Sequence, residues 1–175
     1  LGGGDAVLAV GAELRREKTS FTSTEALRGN DVQGDRSSSD ELLADSSNSR
    51  DIAGIFTEIN APFSKEWEGQ FAVRYDRYKG VHDPLTNITT GALNTVNPKI
   101  AVSYRPNKAV LGRVSYGTGF RAPSLAQTFT QKAQYSFVPG SGIQVSGLVN
   151  NVSPQAAALQ VPKLKAEKSD NITLG

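Results

Sequence analysis

The sequence predicts an all-β fold, an antiparallel up-and-down meander of about six strands. Three observations predict it. Six stretches alternate side chains with period two, the connections between them alternate between long and short, and no apolar run approaches the roughly 20 residues of a membrane-spanning helix. A transmembrane strand needs only about 10 alternating residues, so a mean hydropathy of −0.34 is silent about strands. The 175 residues suffice for one domain.

The strands are expected in order at 6–15, 52–63, 69–78, 97–105, 109–117 and 168–175. In the first, Leu8, Val10, Ala12 and Leu14 share one face, with Val7, Ala9, Gly11, Glu13 and Arg15 on the other. In the second, Ala53, Ile55, Thr57, Ile59, Ala61 and Phe63 oppose Gly54, Phe56, Glu58 and Asn60. Phe71, Val73 and Tyr75 then oppose Gln70, Ala72, Arg74, Asp76 and Tyr78. Ile100, Val102 and Tyr104 oppose Asn97, Lys99, Ala101, Ser103 and Arg105, and Val110, Val114 and Tyr116 oppose Leu111, Arg113, Ser115 and Gly117. Ile172 and Leu174 share a face of the last.

Long loops are expected at 18–51, 79–96 and 118–165, rich in Ser, Asp, Asn, Gly and Gln. A short helix is conceivable around Asp40–Leu43. Short turns fall at 62–68 and at Arg105-Pro106-Asn107-Lys108, with proline favoured at the second turn position. Sorting the short turns to one end and the long loops to the other matches bacterial outer-membrane barrels. The faces fit that arrangement, apolar to lipid and charged to a wet lumen. They equally fit a soluble β-barrel or sandwich, a binding module or adhesin, with the apolar face inward. Phe63, Trp67 and Tyr104 lie towards the short-turn end and Tyr75, Tyr116 and Phe120 towards the long-loop end, the spacing of two interface girdles or of ordinary core aromatics.

Composition excludes several functions. There is no cysteine for a disulfide or thiolate metal site, and a net charge of +2 does not point to nucleic acid. His82 is the only histidine and lies in a loop, so no histidine triad or polyhistidine metal site is available. Gly117-Thr118-Gly119 lacks the third glycine and following helix of a dinucleotide motif. Asp31, Asp35, Asp40, Glu41, Asp45 and Asp51 bias the first loop acidic without matching an EF-hand. No catalytic constellation, cofactor site or metal site emerges. Without an initiator methionine or signal-like start, and ending inside an alternating stretch, the chain is expected to be part of a longer protein.

Ser115-Tyr116-Gly117-Thr118-Gly119-Phe120-Arg121-Ala122-Pro123-Ser124-Leu125 resembles a segment of TonB-dependent outer-membrane receptors, in which a strand ending Tyr-Gly leads to Phe-Arg-Ala-Pro. Ala72-Val73-Arg74-Tyr75-Asp76, Asn97-Pro98-Lys99, Tyr104-Arg105-Pro106 and Leu164-Lys165-Ala166-Glu167-Lys168-Ser169 are similar too, with Ala166 where the family has proline. The resemblance implies about six strands of a 22-stranded transmembrane barrel with long extracellular loops, in the outer membrane of a Gram-negative bacterium. A plug domain, absent from residues 1–175, would fill the barrel, and the TonB complex would supply energy. The implied cargo is a scarce nutrient, most often an iron–siderophore complex, and the implied surroundings are outer-membrane lipid and lipopolysaccharide. The implied role is import, not an enzyme reaction. Arg74, Arg113 and Arg121 are the candidate ligand or plug contacts, since guanidinium suits carboxylate recognition. The other reading of the same arginines is an internal ion ladder with Glu58 and Asp76.

Overall fold

The computed structural model describes residues 2–22, 41–42, 46–83, 87–129, 132–148 and 151–175. The acidic loop residues Asp31, Asp35, Asp40 and Asp45 lie outside them. The main body is one antiparallel sheet of six strands: β1 (Val7–Phe21), β3 (Ser46–Pro62), β4 (Trp67–Tyr78), β7 (Leu93–Asn107), β8 (Val110–Arg121) and β11 (Glu167–Leu174), adjacent in that order. Every neighbour along the sheet is also the next main strand along the chain, which is the expected meander. Short pieces decorate one end: β2 (Glu41–Leu42), β9 (Lys132–Val138) and β10 (Gly142–Leu148) form a small sheet, and β5 (His82–Asp83) pairs β6 (Ile88–Thr89). Two single-turn helices, α1 (Leu125–Phe129) and α2 (Pro154–Ala158), belong to the same end. Glu41–Leu42 is therefore strand, where local composition suggested a helix, because it finds a partner in Lys132–Ala133.

The strands are longer than the alternation indicates. β1 continues to Phe21 and β3 begins at Ser46, with Thr19 opposite Asn48 and Glu17 opposite Arg50. β4 begins at Trp67 and β7 at Leu93, and β8 continues through Phe120-Arg121 opposite Lys168-Glu167. Ladder pairing depends on backbone groups, so it persists where both faces have turned polar and no period-two contrast remains. Gly119, expected in the loop 118–165, accordingly sits inside a strand, as Gly117 does. The β7–β8 ladder does stop early, at Lys99–Gly117. The next residue of β7 is Pro98, which has no N–H to extend it.

The turn expected at 105–108 moves by two residues. A register irregularity between Tyr104 and Asn107 absorbs Pro106. Asn107 Oδ1 then accepts from the amides of Ala109 (2.9 Å) and Val110 (3.0 Å), an Asx-type turn. At the other short turn, Ser64 Oγ accepts from Glu66 N and Trp67 N.

Little apolar side chain is buried among the described residues. Ile52, Val81, Leu125, Phe129 and Ala156 are the buried apolar set, and Val81, Leu125 and Phe129 form one cluster at the loop end of the sheet. α1 is set there by a reciprocal cap: Gln127 N donates to Ser124 Oγ and Ser124 N to Gln127 Oε1.

Candidate functional site

The two faces of the sheet have opposite chemistry, and the register shows it strand by strand. Leu8, Ile59, Phe71, Ile100, Tyr116 and Ile172 form one row across all six strands, each opposite the next. All six are exposed, Ile100 at 50% and Ile172 at 73%. A soluble barrel or sandwich would cover such a row. Here the most deeply buried charged residues lie on the other face, where Asp76 and Arg50 are 5% and 8% exposed.

The apolar face ends along a diagonal. On β1 it runs from Leu8 to Leu14 and turns charged at Arg16, while on β11 it turns from Ile172 directly to Asp170. Between them the first polar residues are Arg77 on β4 and Asn94 on β7, one step before Arg16. From β1 to β11 the boundary falls by about 20 Å of strand over about 24 Å of sheet. That slope is about 40°, within the roughly 35–45° tilt of strands in membrane barrels. Val96 to Tyr104 covers about 27 Å along β7, which the tilt shortens to about 20 Å of apolar height.

Of the expected interface aromatics, Phe63, Trp67 and Tyr104 gather at the short-turn end. Trp67 and Tyr104 are ring neighbours at 4.4 Å. The Phe63 ring covers Gly69, where a Cβ would meet Cε2 at 2.5 Å and push the ring aside. Tyr75 donates to Asn94 Oδ1 (3.3 Å) and Tyr116 to Asp170 Oδ1 (2.8 Å), both at the polar edge of the apolar face. Phe120 differs. Its ring packs on Tyr78 of the charged face at 5.6 Å, so it turns inward instead of joining an outer girdle.

On the charged face of β1, β3 and β4, carboxylates and guanidinia alternate without a break. Arg50 Nη2 donates to Glu17 (2.6 Å), Glu17 and Glu13 flank Arg15 (3.2 and 3.6 Å), and Arg74 Nη2 reaches Glu13 and Asp76 (2.7 Å each). Arg74 Nε also donates to Asp76 (2.8 Å), and its guanidinium lies 6.0 Å from the Phe56 ring. Gly54 makes room for the fork, because a Cβ there would meet Asp76 Oδ1 at 2.5 Å and Arg74 Nη2 at 2.8 Å. Glu58, expected in this ladder, instead accepts from Gln70 (2.6 Å).

The three candidate arginines are thus not brought together. Arg74 is held in the ladder. Arg113 lines a polar cavity of about 350 Å³ nearer the short turns, with Glu68, Lys99 and Thr173. Arg121 faces Glu167 at 3.6 Å with both side chains about two-thirds exposed, an interaction of little energy.

A larger cavity, about 490 Å³, lies at the loop end of the charged face. One wall is the sheet, through Arg50, Tyr78 and Leu93; the other is α1 and the stretch from Asn151 to Leu164. Arg50 closes its floor by donating to Pro123 O (2.9 Å) and stacking on Tyr78 (5.0 Å). Arg50 and Tyr78 were not singled out in the sequence, because Arg50 precedes the alternating part of its strand. The Ser-x-x-Gln spacing of Ser124 and Gln127 is a local sign in the sequence that this region is built.

Outside the apolar face at the loop end lies a charged cluster. Arg16 Nε donates to Asp51 (2.6 Å) and Lys79 stands 3.6 Å from the same carboxylate. The hydrogen bond from Arg16, aided by the charges of Arg16 and Lys79, holds the Asp51 carboxyl below its usual range despite some desolvation. Any stability it lends is therefore present at neutral pH and lost on acidification through that lowered value.

Residues 1–175 match a family model described as TonB dependent receptor-like, beta-barrel. No curated protein and no solved structure matches the chain. The tilted apolar face, the charged wall behind it and the match over the whole length agree: this chain belongs to the TonB-dependent receptor-like β-barrel family.

Proposed function

We propose that the full-length protein imports an iron–siderophore complex, with the described sheet forming part of a 22-stranded barrel around a plug domain and the TonB complex supplying energy. The coarser role, an outer-membrane transport receptor, comes with family membership. The observation that supports the reading best is the diagonal apolar boundary over an ion-laddered wall, which suits a lipid-embedded exterior around a wet interior. The loop-end cavity suits capture of cargo on the side of the long loops. The test is uptake of radiolabelled ferric chelates by iron-starved cells carrying the full-length gene. Accumulation is expected to need both this protein and TonB. Accumulation unchanged when either is deleted would sink the iron reading.

The partner we assign to the outer surface is lipopolysaccharide. Arg16, Lys18, Arg77 and Lys79 share the outward parity at the loop end of β1 and β4, with Asp51 the one acid among them. Exposed cations directly beyond an apolar belt meet anionic head groups, at about 1 kcal/mol per Lys or Arg. Changing all four to glutamine is expected to lower the unfolding temperature of the full-length receptor in lipopolysaccharide-containing vesicles. In phosphatidylcholine vesicles it should have little effect. An equal drop in both lipids would show a structural role only.

A further inference from the structure

The loop-end cavity has a chemical signature beyond its position. Among the described residues its lining carries three cations, Arg50, Lys79 and Lys163, and no Asp or Glu. The remainder is largely apolar, including Val81, Leu93, Leu125, Phe129, Val152 and Leu164. The cations are not equivalent. Lys79 is drawn outward to Asp51. Arg50 is committed through Nη1 and Nη2 to Pro123 and Glu17, yet its Nε is buried with no partner among the described residues. Its side chain is 9% exposed, so this orphan donor sits in a dry floor. Lys163 is exposed and has no acidic partner among the described residues. It is held in place from behind: Asn151 Nδ2 donates to Pro162 O (2.9 Å) and Leu164 N donates to Asn151 Oδ1 (2.8 Å), so the backbone on both sides of Lys163 is pinned.

We propose that this cavity is a binding subsite for an amphiphilic organic anion, an aromatic or aliphatic body bearing one carboxylate or similar acidic group. The body lies among Leu93, Leu125 and Phe129, and the acidic group meets Lys163 with the Arg50 Nε edge behind it. A volume of about 490 Å³ falls in the range of sites for small organic ligands, roughly 300–1,000 Å³. Two features favour an anion. The buried Nε calls for a hydrogen-bond acceptor, and Lys163 has no carboxylate beside it among the described lining residues, so a negatively charged acceptor answers both while a cation answers neither. The proposal rests on the import reading in that it assigns part of the cargo, but its chemistry stands on the lining alone.

The test uses the full-length receptor in lipid nanodiscs, with empty nanodiscs as the background. The probes are 1-naphthoate and its neutral isostere 1-naphthamide, observed by saturation-transfer NMR. Naphthoate is expected to bind at least tenfold more tightly than naphthamide. Lys163→Gln, at an exposed position, should weaken naphthoate about tenfold and leave naphthamide unchanged, while Phe129→Ala should weaken both. Equal binding of the two probes, or naphthoate binding indifferent to both substitutions, overturns the proposal. Heat-modifiable migration of each variant separates lost binding from lost folding. If ferric-chelate uptake is TonB-dependent but naphthoate does not bind, the subsite fails and the import reading stands. If naphthoate binds in the expected pattern and no TonB-dependent uptake occurs, the import reading fails and the subsite stands.

Discussion

Ile100→Arg is expected to block assembly of the full-length receptor, while Ala101→Arg, one residue along the same strand, is tolerated. Ile100 lies midway along the apolar part of β7, between Phe71 and Tyr116 on the neighbouring strands, and is half exposed among the described residues. In a bilayer that exposure is to hydrocarbon, where an arginine at mid-depth costs about 2–4 kcal/mol. Ala101 points to the charged face between Gln70 and Ser115 and lines the polar cavity with Lys99 and Arg113. A further cation there stays wet. The measurement is heat-modifiable migration of outer-membrane fractions. Equal sensitivity at both positions, or the reverse order, would mean that the apolar face does not meet lipid.

Arg74→Ala is expected to cost about 2–3 kcal/mol, read as a lowered unfolding temperature of the receptor in detergent. The loss arises from what is left behind. Asp76 is 5% exposed and takes its hydrogen bonds from Arg74 Nε and Nη2, so truncation strands a buried carboxylate. The cost falls below that of breaking a fully buried pair because the Arg74 side chain is 37% exposed and water can reach the site. The double variant Arg74→Ala/Asp76→Asn should recover a large part of the loss, since no charge then remains unpaired at that position. Additive losses in the double variant would mean that Arg74 acts through Phe56 packing and not through the carboxylate.

The six-strand meander and the assignment of nearly every side chain to a face were legible in the sequence. Period two is a property of the extended backbone, so Leu8 and Val10 share a face wherever the strand lies. Strand ends were not legible. β1 and β3 run on through Lys18–Phe21 and Ser46–Asp51, where polar residues occupy both faces and the contrast that marks a strand vanishes. The Phe120-Arg121 pair falls in the loop expected at 118–165, because alternation ends at Gly117 and glycine recurs at Gly119. β11 supplies a partner through Arg121 and keeps the pair in the sheet.

The candidate site was less legible than the fold. Charge and parity placed Arg74, Arg113 and Arg121 on the inner face, but the spacing within one strand is silent about which carboxylate comes near from another. Glu13, from a strand some 60 residues earlier, completes the Arg74 fork. Arg50, Tyr78, Leu125 and Lys163 meet around one cavity although no short pattern links them.

By itself, then, the sequence determined the strand period, the two faces, the sorting of long and short connections and the family resemblance. These follow from local backbone geometry and from the order of residues. Only the tertiary structure decided which charged residues are buried, how the apolar boundary slopes across the sheet, and which charges pair. Those depend on register between strands, and register is set by contacts among residues far apart in the chain.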